Sequence, residues 1–320
     1  MPTEPRTVRF NRQTFKVLGD RRIRGEDYLV IGHYGNGERS REHVLQVLGK
    51  HRHKEKVIHC LKNSKNNWRR INHLDRIQGS HLPFAGITSI GKSGDELFVV
   101  MEHIRGKSLR HNLRMEKRLT AYQAIRLYSQ LVRQLCNLYR TTGIIHGDIA
   151  PENLIVSPQG TRLVLIDFGS SFRFTDSQNK DKGDGGRAIY QSPSQLAGKP
   201  ATRLCEQFSA ASVFYEMLTR KMPFNVVEKT DPRCRNSRIK PPSENATEIS
   251  DLPSRVWQAV DEHVSRAASL KPESRFATIN EWQESANNLR DYSNRPELAP
   301  ELKTGLVSSL IKSLFGRGDD

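Results

Sequence analysis

The apolar residues of this chain change their period between Ile104 and Thr120, and no other feature restricts the fold as much. From Tyr28 to Ile104 the short runs YLVIG, EHVLQVL, KVIHCL, GITSI and ELFVVMEHI recur, each of strand length and β-like composition. One stretch among them, SKNNWRRINHLDRI, places Trp68, Ile71, Leu74 and Ile77 three apart, a helical spacing. From Thr120 the pattern is helical, with Ile125, Leu127, Leu131, Leu135 and Leu138 repeating in AYQAIRLYSQLVRQLCNLYR. Two short strands, LIV and LVLID, precede helices around FSAASVFYEML, LPSRVWQAVDEHVSRAASL and INEWQESANNLR. A length of 320 residues suits one large domain or two lobes sharing a cleft. The expected fold is α+β: a small β-rich lobe with one helix, then a larger helical lobe. The expected boundaries are a basic N-terminal extension at 1–25, the small lobe at 26–104, the large lobe at 105–295 and a tail at 296–320.

Composition narrows the function classes. Hydrophobic residues make up 36% and charged residues 27%, a globular balance with a polar lean. Cys60, Cys136, Cys205 and Cys234 lie far apart and form no C-x-x-C pair, so no disulfide framework or zinc site is readable. The start MPTEPRTVRF lacks the apolar core of a signal peptide, and no apolar run reaches membrane-spanning length. A cytoplasmic setting is therefore expected. Of the net charge of +16, residues 1–80 hold +10, with 18 Lys and Arg against 8 Asp and Glu. That suits a solvated basic surface or attraction to an acidic partner, and no recognised nucleic-acid module accompanies it.

The stretch IIHGDIAPENLIV at 144–156 carries the chemistry. Phosphoryl transfer needs a carboxylate near the attacking hydroxyl, a divalent metal on the phosphates and ligands for that metal. Asp148 suits the first role. Asn153, brought back by the tight IAPE turn, suits the last. Eleven residues after Val156 a strand ends in Asp167, and the chain turns at Gly169. Hard carboxylate and amide oxygens suit magnesium.

HGDIAPEN followed by DFG resembles the catalytic and metal-binding loops of the protein kinase family. GRAIYQSPSQLAG at 186–198 is similar to the end of a bacterial Ser/Thr kinase activation segment. CEQFSAASVFYEMLTRKMPF at 205–224 resembles the helix beneath such a catalytic loop, and SLKPESRF at 269–276 the Arg-bearing segment near the domain end. ELFVVMEHIRGKSL at 96–109 resembles the strand and hinge that hold adenine. The resemblance implies a two-lobed protein-kinase-like fold over about 28–291, using ATP and Mg2+ to phosphorylate Ser or Thr in a protein substrate. It implies that Asp148 orients and deprotonates the hydroxyl, that Asn153 and Asp167 hold magnesium, and that Met101 backs the adenine pocket. Backbone groups of Glu102 and Ile104 would hold the base. In GHYGNGERS, Gly35 and Gly37 would form the turn over the phosphates, although alone they read as a hairpin turn. Lys62, alone an edge charge, would contact the α- and β-phosphates.

The departures from the family pattern define further expectations. The helical stretch around Arg70 has no glutamate to pair with Lys62. Gly147 replaces the arginine before the catalytic aspartate, which makes regulation by loop phosphorylation less expected, although Ser170, Ser171, Thr175 and Ser177 remain available. Ala150 and Arg187 stand where a lysine and a threonine are usual; Arg187 either supplies the missing positive charge across the cleft or is an exposed loop residue. Ser194 replaces the glutamate partner of Arg275, which must then find water, a carboxylate or another position. Glu206 replaces a bracing aspartate, and His146 is expected to pack and brace backbone.

In the tail, Leu306, Val307, Leu310, Ile311, Leu314 and Phe315 fall on one helical face. That face suits a partner protein, an anionic membrane surface or the chain's own large lobe. Three functions fit the whole: an ATP-dependent Ser/Thr kinase, favoured because its reacting residues are intact; a pseudokinase scaffold; and a small-molecule phosphotransferase. The downstream SPSQ, YEMLTRKMPF and SRF segments argue against the third.

Overall fold

The computed structural model describes residues 7–10, 13–23, 26–34, 43–49, 55–62, 68, 71, 74, 77, 86–93, 95–115, 119–173, 187–246 and 252–299. Strands β1 (Thr7–Phe10) and β2 (Gln13–Lys16) form a hairpin. Strands β3 (Gly19–Ile23), β4 (Glu26–Tyr34), β5 (His43–Gly49), β6 (Glu55–Lys62), β7 (Ile87–Ser93) and β8 (Glu96–Glu102) form one antiparallel sheet in the order β3-β4-β5-β6-β8-β7. The sheet thus begins before residue 26, where the sequence pattern placed its start. The reason is that GDRRI is an edge strand: its Arg21 and Arg22 face water and it shows no apolar alternation to read.

Alternation along the inner strands builds two cores. Ile58 and Cys60 of β6 and Phe98 and Val100 of β8 pack with Tyr28, Val30, Leu45 and Val47 on one face. Leu61, Leu97 and Val99 point to the other face, into a core continuous with the large lobe. Ile71, Leu74 and Ile77 join that second core as their spacing predicts, while Trp68 stays 38% exposed.

The chain leaves β8 through residues 103–106 and enters β9 (Lys107–Ser108) and helix α1 (Leu109–Arg114). Helix α2 (Ala121–Thr142) follows, opened by a reciprocal Thr120–Gln123 capping box and closed by Gly143 at φ 68°. Then come β10 (Ile144–Ile145), β11 (Leu154–Val156), β12 (Leu163–Leu165) and β13 (Phe172–Arg173), with β12-β11-β9 forming one small sheet and β10 pairing β13. Helices α3 (Pro193–Leu196), α4 (Arg203–Thr219), α5 (Val226–Thr230), α6 (Pro242–Asn245), α7 (Ser254–Ala267) and α8 (Ile279–Asn294) complete the large lobe. α4 is buried on nearly every side, which makes it the support on which the loop after β10 rests.

One glycine fixes the path between the lobes. Gly106 has φ 152°, and a Cβ there would collide with the Val156 carbonyl oxygen of β11. Gly143 also has positive φ, but its Cβ would meet nothing within 4 Å. Gly106→Ala is therefore expected to destabilise the protein by about 2–4 kcal/mol, combining strain with overpacking. Gly143→Ala should cost about 1 kcal/mol, from strain alone. Urea unfolding of the two variants measures this, and equal losses would refute the close-approach argument.

Candidate active site

The loop of residues 146–153 runs from β10 through a tight turn at Pro151–Asn153 into β11. It hangs on Glu206, buried in the first turn of α4. Glu206 Oε1 accepts the N–H of His146 at 2.6 Å and that of Gly147 at 3.2 Å. The extra methylene relative to aspartate does not prevent bracing. Burial pushes the Glu206 pKa up to about 7, against the pull of those two N–H groups.

His146 joins this loop to the next. Its Nε2 donates to the Ile166 carbonyl at 3.1 Å, and its Nδ1 accepts the N–H of Asp148 at 3.4 Å. That pairing requires the neutral ring. Burial holds its pKa below the ordinary histidine value, outweighing the attraction of Asp167, the Ile166 carbonyl and Asp148. Its ring meets Phe168 edge-on at 5.0 Å. His146 is fully buried and braces backbone, as its sequence context suggests.

Asn153 closes the loop on Asp148. Its Nδ2 donates to the Asp148 carbonyl at 2.8 Å and to Asp148 Oδ2 at 2.9 Å. The Asn153 carbonyl accepts the N–H of Ile166 at 2.9 Å, which sets the following Asp167 beside this loop. Asp167 itself has φ 62°, and its Oδ1 accepts the Gly169 N–H at 3.0 Å. The left-handed turn sends Phe168 into the core and leaves Asp167 exposed, a geometry aspartate tolerates better than most residues. Gly147, at φ 84°, lies where a Cβ would come 2.6 Å from the Ser170 carbonyl. The absence of arginine there has a backbone reason: any side chain would be strained and would press on the second loop.

A chain of charges runs along the outer side. Arg187 Nη1 stands 3.9 Å from Asp148 Oδ2, and its Nε 3.5 Å from Glu152 Oε1. The same Glu152 oxygen takes Arg110 Nε at 3.0 Å, while Arg110 Nη1 pairs with Glu216 Oε1 at 2.7 Å. The Tyr190 hydroxyl donates to Glu216 Oε2 at 2.6 Å and also meets Arg110. Of the two readings of Arg187, exposed loop residue or charge across the cleft, this geometry fits both, since it is exposed yet faces Asp148. Arg110, Tyr190 and Glu216 went unread in the sequence because their contacts span up to 106 positions.

Two further cations hold this region. Lys229, 5% exposed, donates to the carbonyls of Ala188 at 2.7 Å, Ile189 at 2.7 Å and Gln191 at 3.0 Å. Burial draws its pKa down to about 8. Arg275, deprived of a carboxylate by Ser194, donates instead to the carbonyls of Ser269 and Leu204, both at 2.9 Å, and lies 5.0 Å over the Phe208 ring. Burial lowers its pKa to about 10, so it stays charged at neutral pH.

At the other end lies the expected adenine pocket. Met101 pairs with Val57 and Ile87 across the sheet. Glu102 donates its N–H to the Gly86 carbonyl at 3.0 Å. The half-buried Ile104 follows on a segment anchored to Glu55, which takes His103 Nδ1 at 2.6 Å and Arg105 Nη2 at 3.5 Å. Between the lobes a cavity of about 20 Å3 is lined by Met101, Val99, Ile71, Asp167, Phe168, Gly169 and, from β6, His59 and Leu61. Among the described residues, the ionisable β6 residue lining this cavity is His59, which the family motifs do not point to. The signal was present: in KVIHCLK, residues 57, 59 and 61 share one face by alternation. Lys62 ends β6 opposite Glu96, and its side chain lies outside the described residues. So do Gly35, Gly37, Arg70, Thr175, Ser177 and the tail positions 306–315.

Residues 29–285 match the family model for the protein kinase domain. The chain is similar to serine/threonine-protein kinase PknB of Mycobacterium tuberculosis, 29% identical over 234 residues that cover 70% of this chain and 36% of that protein. PknB of Mycobacterium leprae is 30% identical over 222 residues, covering 68% of this chain and 34% of that protein. The chain thus spans about a third of the length of these curated relatives. Among solved structures, the kinase PK-1 of the Cydia pomonella granulovirus is similar with a TM-score of 0.63 and 19% identity, covering 80% of this chain and 92% of that chain.

Proposed function

The chain belongs to the protein kinase family, and from that premise we propose that it transfers the γ-phosphate of ATP to Ser or Thr hydroxyls of proteins with Mg2+. The observation that carries this reading is the contact of Asp148 with Asn153, beside an exposed Asp167 at the mouth of the inter-lobe cavity. Asp148 would orient the hydroxyl and take its proton as the oxygen bonds to the γ-phosphorus. The bond to the bridging oxygen breaks and its electrons leave with ADP.

The residues fit a magnesium ion. Asn153 spends its side-chain N–H groups on Asp148, which leaves its side-chain oxygen Oδ1 to ligate; Asp167 spends one oxygen on Gly169 and keeps the other. Both are hard oxygen donors. A bound ion would neutralise charge on the phosphates. Met101, Glu102 and Ile104 would seat the adenine, and Gly35 and Gly37 would cover the phosphates. We take 26–104 and 105–295 as the two lobes of this catalytic unit. The serine/threonine specificity named for the PknB proteins supports the acceptor class.

A cytoplasmic setting is supported by free Cys60, Cys136, Cys205 and Cys234. Among the described residues, no helix is long and apolar enough to cross a membrane. The helically spaced apolar residues at 306–315 would serve a partner protein, an anionic membrane surface or the chain's own large lobe.

One observation favours the second reading, a pseudokinase that binds nucleotide or partners without turnover: among the described residues, the β6 side chains that line the cavity beside Asp167 are those of His59 and Leu61. Labelled ATP with Mg2+, a generic basic and a generic acidic protein, and the chain itself as acceptor test the proposal. Magnesium-dependent label on any of them supports a kinase; nucleotide binding with no label supports the pseudokinase. In the same preparation, His59→Ala is expected to weaken MgATP binding about tenfold, as loss of one charge-assisted phosphate contact does. A larger loss in Lys62→Ala than in His59→Ala would assign the phosphate contact to Lys62.

A further inference from the structure

We infer that the acceptor side of this site selects acidic peptides, with an Asp, Glu or phosphorylated residue next to the hydroxyl that reaches Asp148; this rests on the kinase reading above. Three observations converge. The first is position. Arg187 is the exposed group nearest the reacting carboxylate among the contacts of Asp148, at 3.9 Å from its Oδ2, so a hydroxyl brought to Asp148 brings its neighbours to Arg187. Among the described residues its two ion-pair contacts use Nη1 and Nε at 3.9 and 3.5 Å, which leaves Nη2 as a donor for a carboxylate or phosphate.

The second is that the acidic groups at this end are already committed. Glu152 and Glu216 would be the natural partners of a basic peptide, but Arg110 occupies both, with Tyr190 on the second. The remaining Glu152 oxygen, Oε2, is buried away from solvent and so from an incoming cation. The third is the charge of the chain that forms this side. Residues 187–240 contain ten Lys and Arg and four Asp and Glu, a net of +6. All four acids are spent internally: Glu206 on the loop backbone, Glu216 on Arg110, Glu228 on the N–H of Asn225, and Asp231 on Arg233.

The segment carrying Arg187 is also held firmly enough to select. Lys229 binds three of its carbonyls from beneath and the Ser209 hydroxyl donates to a fourth, that of Tyr190, at 2.9 Å. Its outer surface is left as Arg187, Ala188 and Ile189, all exposed. A cation carried beside the base by a braced backbone gives discrimination by charge rather than by general attraction.

The test uses the full chain with Mg2+ and a non-hydrolysable ATP analogue, and fluorescein-labelled peptides with acidic, neutral or basic residues flanking a central Ala. Anisotropy is expected to show the acidic peptide binding about tenfold more tightly than the basic one. Arg187→Gln should remove that preference and Arg187→Glu reverse it, each with an unchanged melting temperature. Arg21→Glu, an equal charge change on the distant edge strand, should leave the preference as it was. Equal effects of Arg21→Glu and Arg187→Glu, or a preference for basic peptides, overturn the inference. Matching peptides with a central Ser are then assayed for transfer, where Arg187→Gln should raise KM for the acidic peptide more than it lowers kcat. Transfer without charge preference leaves the kinase and sinks the acidic selection; preference without any transfer does the reverse.

Discussion

Asp148→Asn is expected to lower phosphate transfer about a hundredfold to ten-thousandfold while leaving nucleotide affinity and thermal stability near those of the parent protein. The substitution removes the one carboxylate able to take the hydroxyl proton, yet it disturbs little else. Asn153 keeps its bond to the main-chain carbonyl of residue 148 at 2.8 Å, and an amide oxygen at 148 can still accept the second bond, now 2.9 Å. The brace from Glu206 acts on residues 146 and 147 and is untouched. Arg187 loses one counter-charge but keeps Glu152 at 3.5 Å. Asp167→Asn should differ in kind: with its carboxylate gone, magnesium-dependent nucleotide affinity should fall along with transfer. Titration calorimetry with MgATP and labelled-phosphate transfer, run on both variants, separate the two roles. An Asp148→Asn protein retaining a tenth or more of parent transfer would remove Asp148 from the role of base.

The contrast between the lobes shows what a single sequence can and cannot carry. Asp148, Asn153 and Asp167 were readable because each motif is a contiguous loop whose spacing dictates its geometry, and the structure brings Asp148 and Asn153 into contact. The large-lobe helices were readable because their apolar residues must face one core. What was hidden is held by long-range contacts. Nothing near Lys229 announces that it reaches back to residues 188–191, and nothing near Arg110 announces Glu216. Arg275 shows the same limit. Loss of its carboxylate partner was visible at Ser194, but the replacement by two carbonyls and a ring depends on where the chain folds. In β6 alternation puts residues 57, 59 and 61 on one face, and the structure has His59 and Leu61 lining the cleft.

Glu206 should reveal itself through pH. Its ordinary value is 4.5 and burial raises it to about 7 in the folded protein. Between those values the folded chain keeps a proton that the unfolded chain has released. Stability from this group is thus fully present below pH 4.5 and is lost as pH rises through 7. A shift of that size is worth on the order of 3 kcal/mol, of which roughly 2 kcal/mol falls between pH 5 and pH 8. Glu206→Gln cannot titrate, yet its amide oxygen can accept both N–H groups, because both now point to the single oxygen Oε1. Urea unfolding at a series of pH values should therefore show the Gln variant close to the parent at pH 5 and gaining on it by roughly 2 kcal/mol at pH 8. Other titrating groups, His146 among them, are common to both proteins and cancel in the difference. Glu206→Ala should lose about 2–5 kcal/mol at every pH, since two buried N–H groups are left without an acceptor. Transfer activity should follow the hydrogen bonds rather than the charge: largely kept in the Gln variant, lost in the Ala variant as the loop that positions Asp148 comes free. A parent-minus-Gln difference that stays flat from pH 5 to pH 8 would mean that Glu206 is ionised throughout, and that the loop is braced by a true carboxylate.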